Sequence, residues 1–189
     1  MTPTTFPAAW SEWGRRASAL AGVMLAVLVL AGCADSEPAA VAGPTDRCEP
    51  VETVPIQGGS HLIGDQEPPV PYNSTPPTSG WHSSGAFAID VRGPAEALSE
   101  PEQVSVLEAG GAVVSYHGLS DAARATLQET VTRDYDGRVA ATPYAALEEG
   151  TVAFSTWGAM QHCEGLDLQA LEGFVTSYAD ERPGVPGGH

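Results

Sequence analysis

Five histidines, at positions 61, 82, 117, 162 and 189, are the residues of this 189-residue chain with the widest chemical scope. A neutral imidazole binds borderline metals such as zinc and copper. His61 and His82 flank a proline-rich loop, each beside glycines and serines, where a side chain can face a cleft. Together with a carboxylate such as Glu108 they form a candidate site for a divalent zinc or copper ion. A plainer role, a hydrogen-bonded imidazole that shapes a turn, is the more frequent one for a single loop histidine. Met160, His162 and Cys163 carry the soft donors that copper prefers, although packing and disulfide formation account for the two sulfurs as well. Tyr72 and Trp81 are the aromatics placed to face a ligand, whereas Phe154 and Trp157 read as core.

Several reaction classes are excluded. The sequence has no Gly-x-Ser-x-Gly elbow, no His-Glu-x-x-His, no Cys-x-x-Cys and no glycine-rich phosphate loop. All eight basic residues are arginines. Without lysine there is no Schiff-base or pyridoxal-phosphate attachment and no phosphate-pairing lysine of the Walker or kinase type. The net charge of −16 opposes nucleic-acid binding and electrostatic attraction to anionic lipid. No catalytic residue set is legible, and no cofactor is expected beyond the candidate divalent ion.

The elements that must position these residues are indicated by patterning. Val51 to Gly85 is rich in Pro, Gly, Ser and Thr, with Pro68-Pro69, Pro71 and Pro76-Pro77 opposing both helix and central strand. Scattered Val54, Ile56, Ile63, Tyr72 and Trp81 indicate an ordered, proline-stiffened loop, which would roof the cleft holding His61 and His82. Gly111 to Tyr116 is an apolar run of strand length. Ser120 can cap a helix carrying Ala123, Leu127 and Val131 on one face. Arg138 to Thr142 and Thr151 to Trp157 read as strands. Asp167 can cap a last helix through Tyr178, which Pro183 stops. The expected fold is α+β: a small mixed sheet with two packed helices, ordered β-α-β-β-α in the C-terminal half, after the long Pro/Gly-rich loop.

The N-terminus carries an address. Arg15-Arg16 precedes a thirteen-residue apolar run, Ala19 to Ala31, too short to span a bilayer and suited to a signal peptide. Leu30-Ala31-Gly32-Cys33 ends it in a lipobox arrangement, so Cys33 is the expected lipidation site. The arginine pair lacks the hydrophobic residues expected of a twin-arginine signal. Residues 1–32 are read as a lipoprotein signal peptide, 33–47 as a tether, 48–182 as one domain and 183–189 as a loose tail. Cleavage leaves six arginines against 23 acidic groups, a charge of −17. The expected location is the outer face of a bacterial membrane, held through lipid. Cys48 and Cys163 then remain, and outside the cytoplasm two such thiols usually pair. A metal-binding or reactive thiol is the alternative.

Pro76-Pro77-Thr78-Ser79-Gly80-Trp81-His82, the upstream His61 and Tyr72, and Leu107-Glu108-Ala109-Gly110 before a strand resemble the domain of unknown function 3105 family. Tyr116, Pro143, Thr156-Trp157-Gly158, Cys163 and the final helix extend the resemblance over most of residues 48–180. It implies a secreted or lipid-anchored protein of the high-GC Gram-positive type, and it supports pairing Cys48 with Cys163. It brings no established activity. The chain departs from the family's pattern at Trp81, which stands for a proline, and at Ser105 and Ala109, which stand for histidines.

Two functions are compatible with these residues. The first is a non-catalytic surface or envelope accessory domain that binds a protein or small ligand through the loop from Tyr72 to His82. The second is a metal-binding protein or metal-dependent enzyme using His61, His82 and Glu108. The missing imidazoles at 105 and 109 favour the first and imply that native metal affinity is low.

Overall fold

The structure, a computed structural model, describes residues 47–84 and 89–180. The segments read above as signal peptide and tail, Cys33 and most of the segment read as a tether lie outside the described residues. Three two-residue strands come first: β1 (Glu52–Thr53), β2 (His61–Leu62) and β3 (His82–Ser83). Then come α1 (Glu100–Glu108), β4 (Ala112–Tyr116), α2 (Asp121–Asp134), β5 (Val139–Pro143), β6 (Thr151–Thr156), β7 (Ala159–Glu164) and α3 (Leu168–Phe174). A π-helical segment, Val175–Asp180, continues α3.

A five-stranded sheet has the order β1-β7-β6-β4-β5, and β2 and β3 form a separate parallel pair. The sheet is mixed because β4 and β5 run parallel while β6 is antiparallel to β4 and β7. Parallel neighbours need a crossover, and α2 supplies it. Ser120 accepts a hydrogen bond from the Ala123 amide, and Asp167 accepts one from the Ala170 amide, so both predicted helix caps are in place.

All five residues of β4 are buried, because the sheet is covered on both sides. On one face Val114, Tyr116, Val139, Ala141 and Phe154 pack with Leu127 and Val131 of α2 and with Leu171 and Phe174 of α3. On the other, Val113 and Ala140 meet Leu98 and the α1 residues Val106 and Leu107. Gln103 of α1, wholly buried, accepts from the Ser115 hydroxyl, and the Leu98 amide donates to Thr142. The Cys48–Cys163 disulfide ties the start of the described chain to β7.

Two elements go beyond the sequence expectation. The fold has a third helix, α1, and the C-terminal half runs β-α-β-β-β-α. Trp157-Gly158 is the two-residue turn between β6 and β7, with Gly158 at φ +73°, so Trp157 lies outside the strand that patterning predicts for it. Within the proline-rich stretch Pro76 to Gly80 is buried, its Thr78 carbonyl accepting from the Gly158 amide.

Candidate functional site

His61 and His82 are direct partners across the parallel β2–β3 pair. Three contacts hold that pair in register. The Gln57 amide donates to the Ser79 hydroxyl oxygen at 2.8 Å, and the Ser84 amide donates to the Leu62 carbonyl. Gly59 lies flat on the backbone of Gly80 and Trp81, where any Cβ would come within 2.2 Å of the Gly80 carbonyl carbon. Only glycine permits that approach. Tyr72 backs the turn, donating its hydroxyl to the Trp81 carbonyl at 2.6 Å. Burial, reinforced by the charge of Glu100, holds that hydroxyl well above the ordinary tyrosine range, so Tyr72 acts as a donor.

The third member arrives from α1. Ser99 and Glu102 form a capping box at its start, with proline in the first turn. Val104, Val106 and Leu107 bury the helix. Ser105 donates to the Ser83 carbonyl at 3.0 Å, pinning α1 to β3. Glu108 therefore ends the helix beside the two imidazoles, and Gly110 at φ +86° turns the chain away.

Glu108 Oε2 lies 3.0 Å from His82 Nε2 and 4.0 Å from His61 Nε2. One ligand atom from each residue falls within 4.8 Å of the others. The rings meet edge to face, 4.5 Å between centroids. His82 is 3% exposed, and its Nδ1 sits 2.9 Å from the Gly80 carbonyl. A carbonyl can only accept, so Nδ1 carries a proton, and Nε2 is the ring atom turned toward Glu108. The 3.0 Å contact to the carboxylate is too misaligned to be a hydrogen bond, and Nε2 has no other partner among the described residues. Two lone-pair atoms this close repel unless a proton or a cation lies between them. Ligands that share an ion at about 2.0–2.1 Å stand roughly 3 Å apart. A ring N–H committed to a carbonyl is also the usual outer-shell support of a metal-binding histidine.

His61, Glu108 and His82 are thus brought together, with Tyr72 and Trp81 behind them as supports of the turn. Sequence patterning gives no sign of the Gly80 carbonyl that fixes the His82 tautomer or of the Gly59 contact beneath it. Met160 and His162 lie on β7 with Cys163, whose sulfur is bonded to Cys48, so no thiolate remains there to complete a soft-donor set. His117 Nδ1 contacts the Leu147 carbonyl at 2.7 Å and braces a turn. A groove of about 750 Å³ runs between residues 64–75 and the first turn of α1, with Tyr72, Ser83 and Glu100 in its wall. No helix among the described residues is long and apolar enough to cross a membrane.

The sequence model of a family described as "Protein of unknown function (DUF3105)" matches residues 65–188. That span includes His82 and Glu108 and begins just after His61. No curated protein and no solved structure matches the chain.

Proposed function

The chain belongs to the domain of unknown function 3105 family, and from that premise we propose that it is a lipid-anchored, extracytoplasmic module binding a divalent ion of the zinc or copper class. The observation that carries this reading is the buried Nε2 of His82, aimed at a carboxylate it does not hydrogen-bond while its other nitrogen is committed to Gly80. His61, 49% exposed, closes the group from the solvent side and leaves a route for the ion. Two imidazoles and one carboxylate make a borderline donor set, suited to Zn(II) and Cu(II). Three protein ligands leave at least one coordination position for water or a partner's donor.

Isothermal titration of the intact chain with Zn(II) and Cu(II) tests this, with His82→Ala as comparison. One saturable equivalent in the native chain, lost in the variant while the far-ultraviolet spectrum is kept, is the expected result. Equal behaviour of the two chains would sink the reading. A small ligand in the 750 Å³ groove is the second possibility, favoured by the Tyr72 and Ser83 wall. It predicts ligand binding that survives His82→Ala.

A further inference from the structure

A second cleft lies on the α2 face of the sheet, away from the histidines. It holds about 350 Å³ between residues 91–93, the end of β4 and the first turns of α2. Arg92, Arg124 and Tyr116 line it together with Asp121 and Gln128. In a chain with eight arginines and a net charge of −16, two guanidinium groups in one small concavity locally offset the surrounding negative charge. Tyr116 donates to the Arg92 carbonyl at 3.2 Å and so fixes the segment that carries Arg92.

Each arginine already touches a carboxylate: Arg92 Nε meets Asp90 at 2.7 Å, and Arg124 meets Asp121 one turn back on α2. Both carboxylates are open to solvent, Asp121 at 95% exposure, so the pairs are screened and weak. Asp121 engages one nitrogen of a group with five N–H donors. Arg124 Nε is buried and has no hydrogen-bond partner among the described residues. A planar fork with an unsatisfied buried N–H is matched by an oxyanion that accepts two parallel hydrogen bonds.

We propose that this cleft binds a small oxyanion, a carboxylate or a phosphate, between Arg92 and Arg124, with the exposed Asp121 as the internal competitor that the ligand displaces. The proposal is independent of the metal site, which lies on the opposite side of the sheet with α1.

Titration calorimetry of the intact, metal-free chain with glutarate and with inorganic phosphate at low ionic strength tests it, and the tighter probe names the class. Arg124→Gln should weaken binding at least tenfold. Arg133→Gln, which removes the same charge from α2 at an exposed pair with Asp134, should leave it unchanged. Asp121→Asn should tighten binding severalfold, an effect no loss of folding produces, and it keeps the test readable should Arg124→Gln disturb the helix. Absence of saturation with both probes, equal losses in the two arginine variants, or weaker binding in Asp121→Asn would overturn the assignment.

Discussion

His82 Nε2 and Glu108 Oε2 are held 3.0 Å apart by parts that do not yield easily: a buried ring, a carbonyl on its far side and a helix end. Glu108→Gln keeps the shape and replaces the anion by an amide. Metal affinity should fall at least tenfold in titration with Zn(II), with the far-ultraviolet spectrum kept. Unaltered affinity would show that the carboxylate is a bystander. Gain of function belongs to this scale as well. Ser105 and Ala109 are one helical turn apart on the face of α1 that meets β3. Ser105 is buried, so an imidazole there would overpack, whereas Ala109 is exposed and has room. Ala109→His should therefore raise zinc affinity by about tenfold or more, as expected from completing a coordination shell. Competition with a chelator of known affinity measures it.

The elements around the site are only partly legible in the sequence. Strands β4 and β6 and helices α2 and α3 announce themselves through apolar runs and through Ser120 and Asp167. Helix α1 escapes patterning although its capping signal, Ser99-Glu100-Pro101-Glu102, stands in the sequence; glutamates and prolines around it hide an apolar face of only three residues. Strand β7 escapes it because Met160, Gln161, His162 and Cys163 invite a chemical reading and Gly158 looks like a loop end. The pairing of β2 with β3 has no sequence signal, since two-residue strands have no period and their register rests on Gly59 touching Gly80. That contact yields a prediction. Gly59→Ala should lower metal affinity severalfold and cost about 1–3 kcal/mol of stability from overpacking, though no ligand is altered. Gly58→Ala, with open space around its Cβ, is the control. Thermal melts and zinc titration of the pair separate the two; equal behaviour would mean that β2 adjusts freely.

For the molecule as a whole, the bridge from Cys48 to Cys163 closes a span of 115 residues. In the chain-entropy picture such a closure contributes ~5 kcal/mol, so a Cys48→Ala, Cys163→Ala double variant should show a clearly lower urea midpoint than the oxidised chain. Alkaline pH acts on the whole fold too. Burial raises the Tyr72 and Tyr144 hydroxyls well above the ordinary tyrosine value near 10, and Tyr144 also donates to Glu100. The folded chain then keeps these protons after the unfolded chain has lost them. Stability is unaffected by them below pH 10 and declines as pH rises beyond it. Urea midpoints from pH 9 to pH 11.5 should show this decline, with a shallower slope in Tyr144→Phe. The proposed anchor is tested by Cys33→Ser, which should release the protein from the membrane fraction, because a charge of −17 gives no electrostatic hold.

The same bridge decides how the domain carries mechanical load. Tension arriving from the N-terminal side reaches Cys48 and passes through sulfur straight into β7, so the site-bearing strands β2 and β3 and helix α1 lie inside a covalent ring that feels no pull. Pulled from its two sides, the oxidised domain can release, among the described residues, only 164–180, roughly 60 Å at full extension. After reduction the described domain from residue 48 to 180 becomes extensible, to roughly 450 Å. Single-molecule pulling with and without a reductant would resolve the two lengths. Anchored as proposed, the domain would thus keep its binding geometry under drag, as long as its surroundings stay oxidising.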